Sequence, residues 1–303
     1  MGRYVVRASL AAGGLGRVLL AHPIGMPSAP IALKRAHPHL VDNDEVRAMW
    51  RSEARWTKAI RHPHVVAGVE LVEGDGELAL AMEYVHGPSF ALLLDVAARA
   101  NERPPIAIVL RVMLDVLAAL AAVHAVPVAE SGRLVHGDVN PRNVLVGDDG
   151  VAKLCDFGLA GPEAPYEDRG VFRGTAAYCA PETIERGERT TRSDVFAAGV
   201  VLWEALRLEW LFRGEGDADS MRRVAVVVAP PLDRDRPELA ALAEIARDML
   251  VKAANDRAPS VEVCADRITR AHAIAPRADV AALVRAAAAG ELARRREALA
   301  NDF

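Results

Sequence analysis

Cysteine is scarce in this chain of 303 residues: Cys155, Cys179 and Cys264 stand far apart, with neither paired nor metal-ligand spacing. That excludes a disulfide framework and a cysteine zinc site, and a reduced, cytoplasmic setting is expected. A strong excess of one charge is missing too. The net charge of −4 and pI near 6.2 exclude a nucleic-acid binder held by a broad basic surface. The opening Met1-Gly2-Arg3-Tyr4-Val5 has no apolar signal core, and no stretch approaches the ~20 uncharged apolar residues of a membrane helix. The longest such run, Val116 to Ala129, carries His124 and Pro127. No membrane partner is expected, and no internal repeat is visible.

What is present is enough apolar sequence for a large core: 51% of residues are hydrophobic and 26% charged. This length fits one large domain or two small ones. The first third reads as strands at Tyr4-Val5-Val6, Val18 to Ala21, Ile31 to Lys34, Val65-Val66, Leu71-Val72 and Leu78 to Met82. One helix interrupts them, from Asp42 to Ile60, with Val46, Met49, Trp50, Glu53, Ala54 and Thr57 at helical spacing. From Ser89 the periodicity turns helical. Ile106, Val109, Leu110, Met113, Leu117, Leu120 and His124 form one buried stripe, and further helices are expected over Ser193 to Leu208, Pro237 to Lys252, Ser260 to Ile274 and Ala278 to Leu299. Short strands at Val144 to Val146 and Ala152 to Leu154 lie between.

The chemistry concentrates in His136-Gly137-Asp138-Val139-Asn140-Pro141-Arg142-Asn143. An acceptor carboxylate, Asp138, precedes the carboxamide Asn143 by five residues, and a second acid, Asp156, follows in Cys155-Asp156-Phe157-Gly158. One base and two metal-ligating oxygens suit transfer of a phosphoryl group from a magnesium nucleotide. Upstream, Leu10-Ala11-Ala12-Gly13-Gly14-Leu15-Gly16-Arg17-Val18 sets glycines between two strands, where backbone N–H groups can close over phosphates. Lys34 ends the next strand, and Glu53 lies nineteen residues beyond it.

Together these stretches resemble the protein kinase family: H-R-D-x-x-x-x-N, D-F-G, G-x-G-x-x-G-x-V and V-A-I-K. Gly174-Thr175-Ala176-Ala177-Tyr178-Cys179-Ala180-Pro181-Glu182 is similar to G-T-x-x-Y-x-A-P-E, and Ser193 to Glu204 resembles the S-D-V helix. The resemblance spans roughly residues 3 to 274. It implies an α+β bilobal fold, with a small β-rich lobe over 1–85, a larger helical lobe over 86–275, and a helical extension over 276–303 packed on the larger lobe. It also implies roles. Asp138 would accept the substrate proton, Asn143 and Asp156 hold Mg²⁺ (or Mn²⁺), and Lys34, paired with Glu53, bind ATP phosphates. Ala11, Gly13 and Gly16 would cover the phosphates; Val18, Ala32 and Leu145 would sandwich adenine, with Met82 as gatekeeper and the backbone of Glu83 and Val85 binding the base. Asp194 would brace the catalytic loop, Glu182 pair with Arg257, and Thr175 favour alcohol substrates.

Three departures stand out. Ala11 replaces a glycine, Gly137 an arginine, and Asn140 a lysine. Arg142 is the candidate to supply the charge that Asn140 lacks. Between Phe157 and Gly174 there is no Ser or Thr, only Tyr166, so Gly137 fits a kinase not switched by loop phosphorylation. Thr57 and Gly68, expected above His136 and Phe157, are small or polar, which predicts a loosely assembled active state firmed by a regulatory protein. The leading reading is an ATP-dependent serine/threonine protein kinase acting on a protein substrate. The alternatives are a nucleotide-binding pseudokinase scaffold and a small-molecule phosphotransferase, since His136-Gly137-Asp138 also matches the H-G-D of aminoglycoside-type enzymes.

Overall fold

The computed structural model describes residues 3–74, 76–128, 132–165 and 174–300. The first lobe is a five-stranded antiparallel sheet of β1 (Tyr4–Ala12), β2 (Gly16–Pro23), β3 (Ile31–Ala36), β4 (Gly68–Gly74) and β5 (Glu77–Glu83), ordered β1-β2-β3-β5-β4. Helix α1 (Asp44–Ala59) packs against it. Asn43 starts α1 by accepting a hydrogen bond from Val46 N at 3.0 Å, and Asp44 and Glu45 complement the positive end of the helix dipole. Trp50, Glu53, Ala54 and Thr57 recur at helical spacing, and all are buried.

Segment 84–89 leads to α2 (Phe90–Ala100) and α3 (Ile106–His124) of the second lobe. Strand β6 (Leu134–Val135) pairs with β9 (Gly161–Pro162), and β7 (Val144–Val146) with β8 (Ala152–Leu154). Strand β10 (Ala164–Pro165) meets β11 (Glu188–Arg189) across α4 (Pro181–Arg186). Then come α5 (Thr191–Arg207), α6 (Asp217–Val226), α7 (Ala240–Met249), α8 (Val261–Ala271), α9 (Arg277–Ala287) and α10 (Ala289–Ala300). The large core gathers around α3 and α5, where Leu117, Leu120, Phe196 and Val200 are wholly enclosed. By length and hydropathy alone α3 could cross a membrane, but 61% of that window is buried within the protein, as befits a core helix.

Several expectations change. Val65 and Val66 form no strand of the sheet; Val65 makes an isolated bridge to Leu154, and Val66 N donates to Leu154 O at 2.9 Å. The helix expected over 278–299 is two, because Ala288 leaves helical geometry at φ −114° and ψ 18°. Pro237 to Leu239 forms a 3₁₀ turn before α7. Helices α4 and α6 have no clear signal in the sequence, being short and weakly patterned. Thr57 and Gly68, expected above His136 and Phe157, lie against each other. A methyl on Gly68 would lie 2.4 Å from Thr57 Oγ1, so the small residues let helix and strand approach closely. Thr57 is buried and its hydroxyl donates to Glu53 O at 2.8 Å.

Candidate active site

A cleft of about 1100 Å³ runs between the lobes. The glycine-rich turn covers one side, closed by Gly13 N to Gly16 O at 2.8 Å. Gly16 has no room for a side chain, since a Cβ there would stand 2.1 Å from Arg35 O. Ala11 pairs with Val18 across the hairpin, and both line the cleft with Gly13, Gly16, Ala32, Met82, Glu83, Val85 and Leu145. Glu83 turns its carboxylate away, onto Lys153 at 2.6 Å and Ala67 N at 3.2 Å. Val85 N–H has no hydrogen-bond partner among the described residues, so the hinge keeps a donor for a flat base.

Lys34 on β3 donates to both oxygens of Glu53 at 2.9 Å and to Asp156 Oδ1 at 2.9 Å. Burial opposes the ammonium, yet the two carboxylates hold its pKa above the usual lysine range. Glu53 is pushed up by its complete burial despite Lys34. Partial desolvation also opposes the charge on Asp156, but the Lys34 ammonium prevails and holds it below the usual carboxylate range. Its backbone is left-handed at φ +63°, an uncommon state for a residue with a side chain. Phe157 behind it meets the His136 ring edge-to-face at 4.8 Å.

Asp138 sits between two braces. Asn143 Nδ2 donates to Asp138 Oδ2 at 2.9 Å and to Asp138 O at 2.8 Å, and Thr175 N donates to Asp138 Oδ1 at 3.0 Å. Burial raises the Asp138 pKa, against the opposing pull of His136 and Thr175. Because the Asn143 amide protons face Asp138, its oxygen is the atom left for a cation. Asp156 likewise keeps Oδ2 without a hydrogen-bond partner among the described residues, Oδ1 being taken by Lys34 and Gly158 N. Two such oxygens suit a hard cation such as Mg²⁺.

Asn140 has a task that its place in the motif does not suggest. Its Oδ1 accepts from Arg142 N at 3.0 Å, capping the 3₁₀ turn Pro141–Asn143, while Nδ2 donates to Asp138 O at 3.1 Å and Thr175 Oγ1 at 3.2 Å. Arg142 is exposed and lines the cleft, and its guanidinium makes no hydrogen bond or ion pair among the described residues. Asp194 at the start of α5 accepts from His136 N and Gly137 N, both at 2.9 Å, and lies 2.8 Å from His124 Nε2. Gly137 is held at φ +78°, where glycine carries no Cβ penalty. A Cβ at that position would lie 3.1 Å from Leu159 O, which accepts from Arg189 Nη1 at 3.1 Å.

These placements unite every residue the motifs singled out for chemistry. A sequence profile described as the protein kinase domain matches residues 4–268.

The chain belongs to the protein kinase family.

Within this kinase domain, Glu182 and Arg257 form a two-pronged pair at 2.7 and 2.8 Å, away from the cleft. The chain is 33% identical over 88% of its length to the tyrosine-protein kinase MasK of Myxococcus xanthus, covering 42% of that protein. It is 34% identical over 76% of its length to the serine/threonine-protein kinase PknL of Mycobacterium tuberculosis, covering 57% of it. With PknA of the same species identity is 32%, over 78% of this chain and 54% of PknA. The chain thus spans about half the length of these relatives. Sequence reasoning missed Arg189, the turn-capping role of Asn140, and two residues of α10 that line the cleft, Glu291 and Arg295. No linear signal marks Arg189, Glu291 and Arg295, because each reaches the site from a distant segment, while Asn140 lies within the motif and its contact to Thr175 spans 35 residues. Tyr166 lies outside the described residues.

Proposed function

We propose that this protein transfers the γ-phosphoryl group of ATP to a serine or threonine hydroxyl of a protein substrate. The observation that carries the reading is one cleft holding two charged centres. Lys34, clamped by Glu53, stands beside Asp156, and Asp138 is fixed between Asn143 and Thr175. Asp138 accepts the hydroxyl proton as the new P–O bond forms, and the leaving diphosphate carries away the electrons of the broken bond. Mg²⁺, when bound, neutralises phosphate charge, and Asn143 and Asp156 would hold it. Lys34 orients the phosphates. Arg142, charged and without an ion-pair partner among the described residues, supplies from the mouth of the cleft the positive charge that Asn140 cannot.

Thr175 favours an alcohol of a protein side chain, since its backbone N–H and hydroxyl tie the substrate segment to Asp138 and Asn140. The absence of Ser and Thr between Phe157 and Gly174 supports a kinase that works without a loop phosphosite. Incubation with labelled Mg-ATP and a protein acceptor, beside an Asp156→Ala control, tests the reading. Label on serine or threonine, lost in the control, is expected. Label on tyrosine overturns the substrate class, label only on a small alcohol overturns the protein-kinase reading, and ATP binding without transfer makes this a pseudokinase. In the same assay Arg142→Ala is expected to lower the rate on the order of 10²-fold. Unchanged turnover removes Arg142 from the chemistry.

A further inference from the structure

Helices α9 and α10 lie beyond residue 268, where the match to the kinase domain ends, yet they are built into the cleft. Arg277 anchors α9 through Asp115, at 2.9 and 3.2 Å, and Gly150 admits its carbonyl so closely that a Cβ would stand 2.1 Å away. Val280 and Val284 are wholly buried. The turn at Ala288 then carries α10 across the connection between the lobes, where Leu292 is buried and the helix touches β1. Arg285 donates to Asp148 O at 2.8 Å, and Arg296 donates to Asp148 Oδ2 at 2.8 Å and to His86 at 3.1 Å. So α10 is fastened to both sides of the hinge.

Two side chains on its inner face enter the cleft rim beside Tyr84, Val85, Gly87 and Ser89. Arg295 donates one N–H to Gly87 O at 2.8 Å and another to Glu291 Oε1. The arginine therefore holds the Glu291 carboxylate in one orientation. A carboxylate beside an anionic nucleotide is unfavourable unless it meets donors, and the ionised group can only accept hydrogen bonds. At the hinge end of a nucleotide, remote from its phosphates, the pair of ribose hydroxyls provides two such donors.

We propose that α10 belongs to the nucleotide site, with Glu291 accepting hydrogen bonds from the ribose hydroxyls and Arg295 positioning it. This rests on the nucleotide reading given above. The test is calorimetric titration of the full chain with Mg-ATP and with Mg-2′,3′-dideoxy-ATP, for the parent, Glu291→Ala, Glu291→Gln and Arg295→Ala. The parent should prefer ATP by about tenfold, as a charge-assisted hydrogen bond implies. Glu291→Ala should reduce that preference to about twofold or less and leave dideoxy-ATP affinity unchanged, with Glu291→Gln in between. Arg295→Ala, which also loses the hydrogen bond to Gly87 O, should weaken the preference for ATP while leaving dideoxy-ATP affinity unchanged. A preference that survives Glu291→Ala overturns the proposal. Equal loss for both nucleotides also overturns it, assigning α10 to holding the hinge. A parent that binds dideoxy-ATP as well as ATP refutes the sugar contact, whereas a parent that binds neither refutes the nucleotide reading itself.

Discussion

The kinase domain contains two carboxylate–cation pairs with the same chemistry and opposite surroundings. Arg257 and Glu182 have side chains 0% and 2% exposed, and Arg257 also donates to the carbonyls of Arg192, Val251 and Lys252. At the cleft, Lys34 and Glu53 are covered, but the side chain of their third member, Asp156, is 44% exposed. The first pair is closed, with every partner supplied by the chain, so it can only hold α4 against the loop before α8. The second is left open at one end, and an open charge can meet a ligand. Burial by itself does not separate structure from function here; the unsatisfied end does.

The sharpest way to break the comparison is Arg257→Ala. It strands the Glu182 carboxylate in the core, and a loss of about 3–5 kcal/mol is expected in denaturant unfolding. Next comes Lys34→Met, which should lower phosphoryl transfer on the order of 10²–10³-fold while the domain stays folded. Burial already raises the Glu53 pKa, so without Lys34 this carboxyl can take up a proton instead of remaining an uncompensated charge. If Lys34→Met unfolds the protein as readily as Arg257→Ala, the distinction between open and closed pairs fails.

A smaller effect is expected at Gly137→Arg, which restores the family residue. At φ +78° a side chain costs about 1–2 kcal/mol, and the new Cβ crowds Leu159 O beside Arg189. Unchanged stability in denaturant would show that the left-handed geometry is not enforced by Asp194. A pH-dependent effect concerns Glu204, a buried carboxylate that accepts from Tyr178 Oη at 2.6 Å and Leu211 N at 3.0 Å. Burial pushes its pKa up to about 7 from 4.5. The folded state therefore binds a proton that the unfolded state has released, and stability should fall as pH rises from 4.5 towards 7. The slope contributed is at most about 1.4 kcal/mol per pH unit. Glu204→Gln should flatten it in melts taken across that range, and an unaltered slope would place the titration elsewhere.

Much of the site is legible in the amino-acid sequence. The glycine turn, Lys34, Glu53, Asp138, Asn143 and Asp156 lie in short stretches whose residue types and order follow from holding phosphates, a cation and a base. Helices α1 and α5 are marked by caps, and α3 by a long apolar stripe. The short elements are not. Six residues of α4 carry too little pattern, and the break at Ala288 falls between alanines with no proline to mark it, though Gly290 follows closely. The contact between Thr57 and Gly68 escapes a linear reading for a different reason. Side-chain size says how much space a residue fills, while the closeness of the backbones decides whether a gap remains.

By itself the sequence determined the family, the two-lobed architecture and the groups that gather at the candidate site, because those depend on residue type at fixed local spacing. Only the tertiary structure decided what Asn140 and Gly137 do. One caps a turn and reaches Thr175; the other occupies a left-handed backbone position held by Asp194. It also decided that residues of α10 stand at the rim of the cleft, which no local spacing could encode, since Glu291 and Arg295 meet the hinge across some two hundred residues of chain.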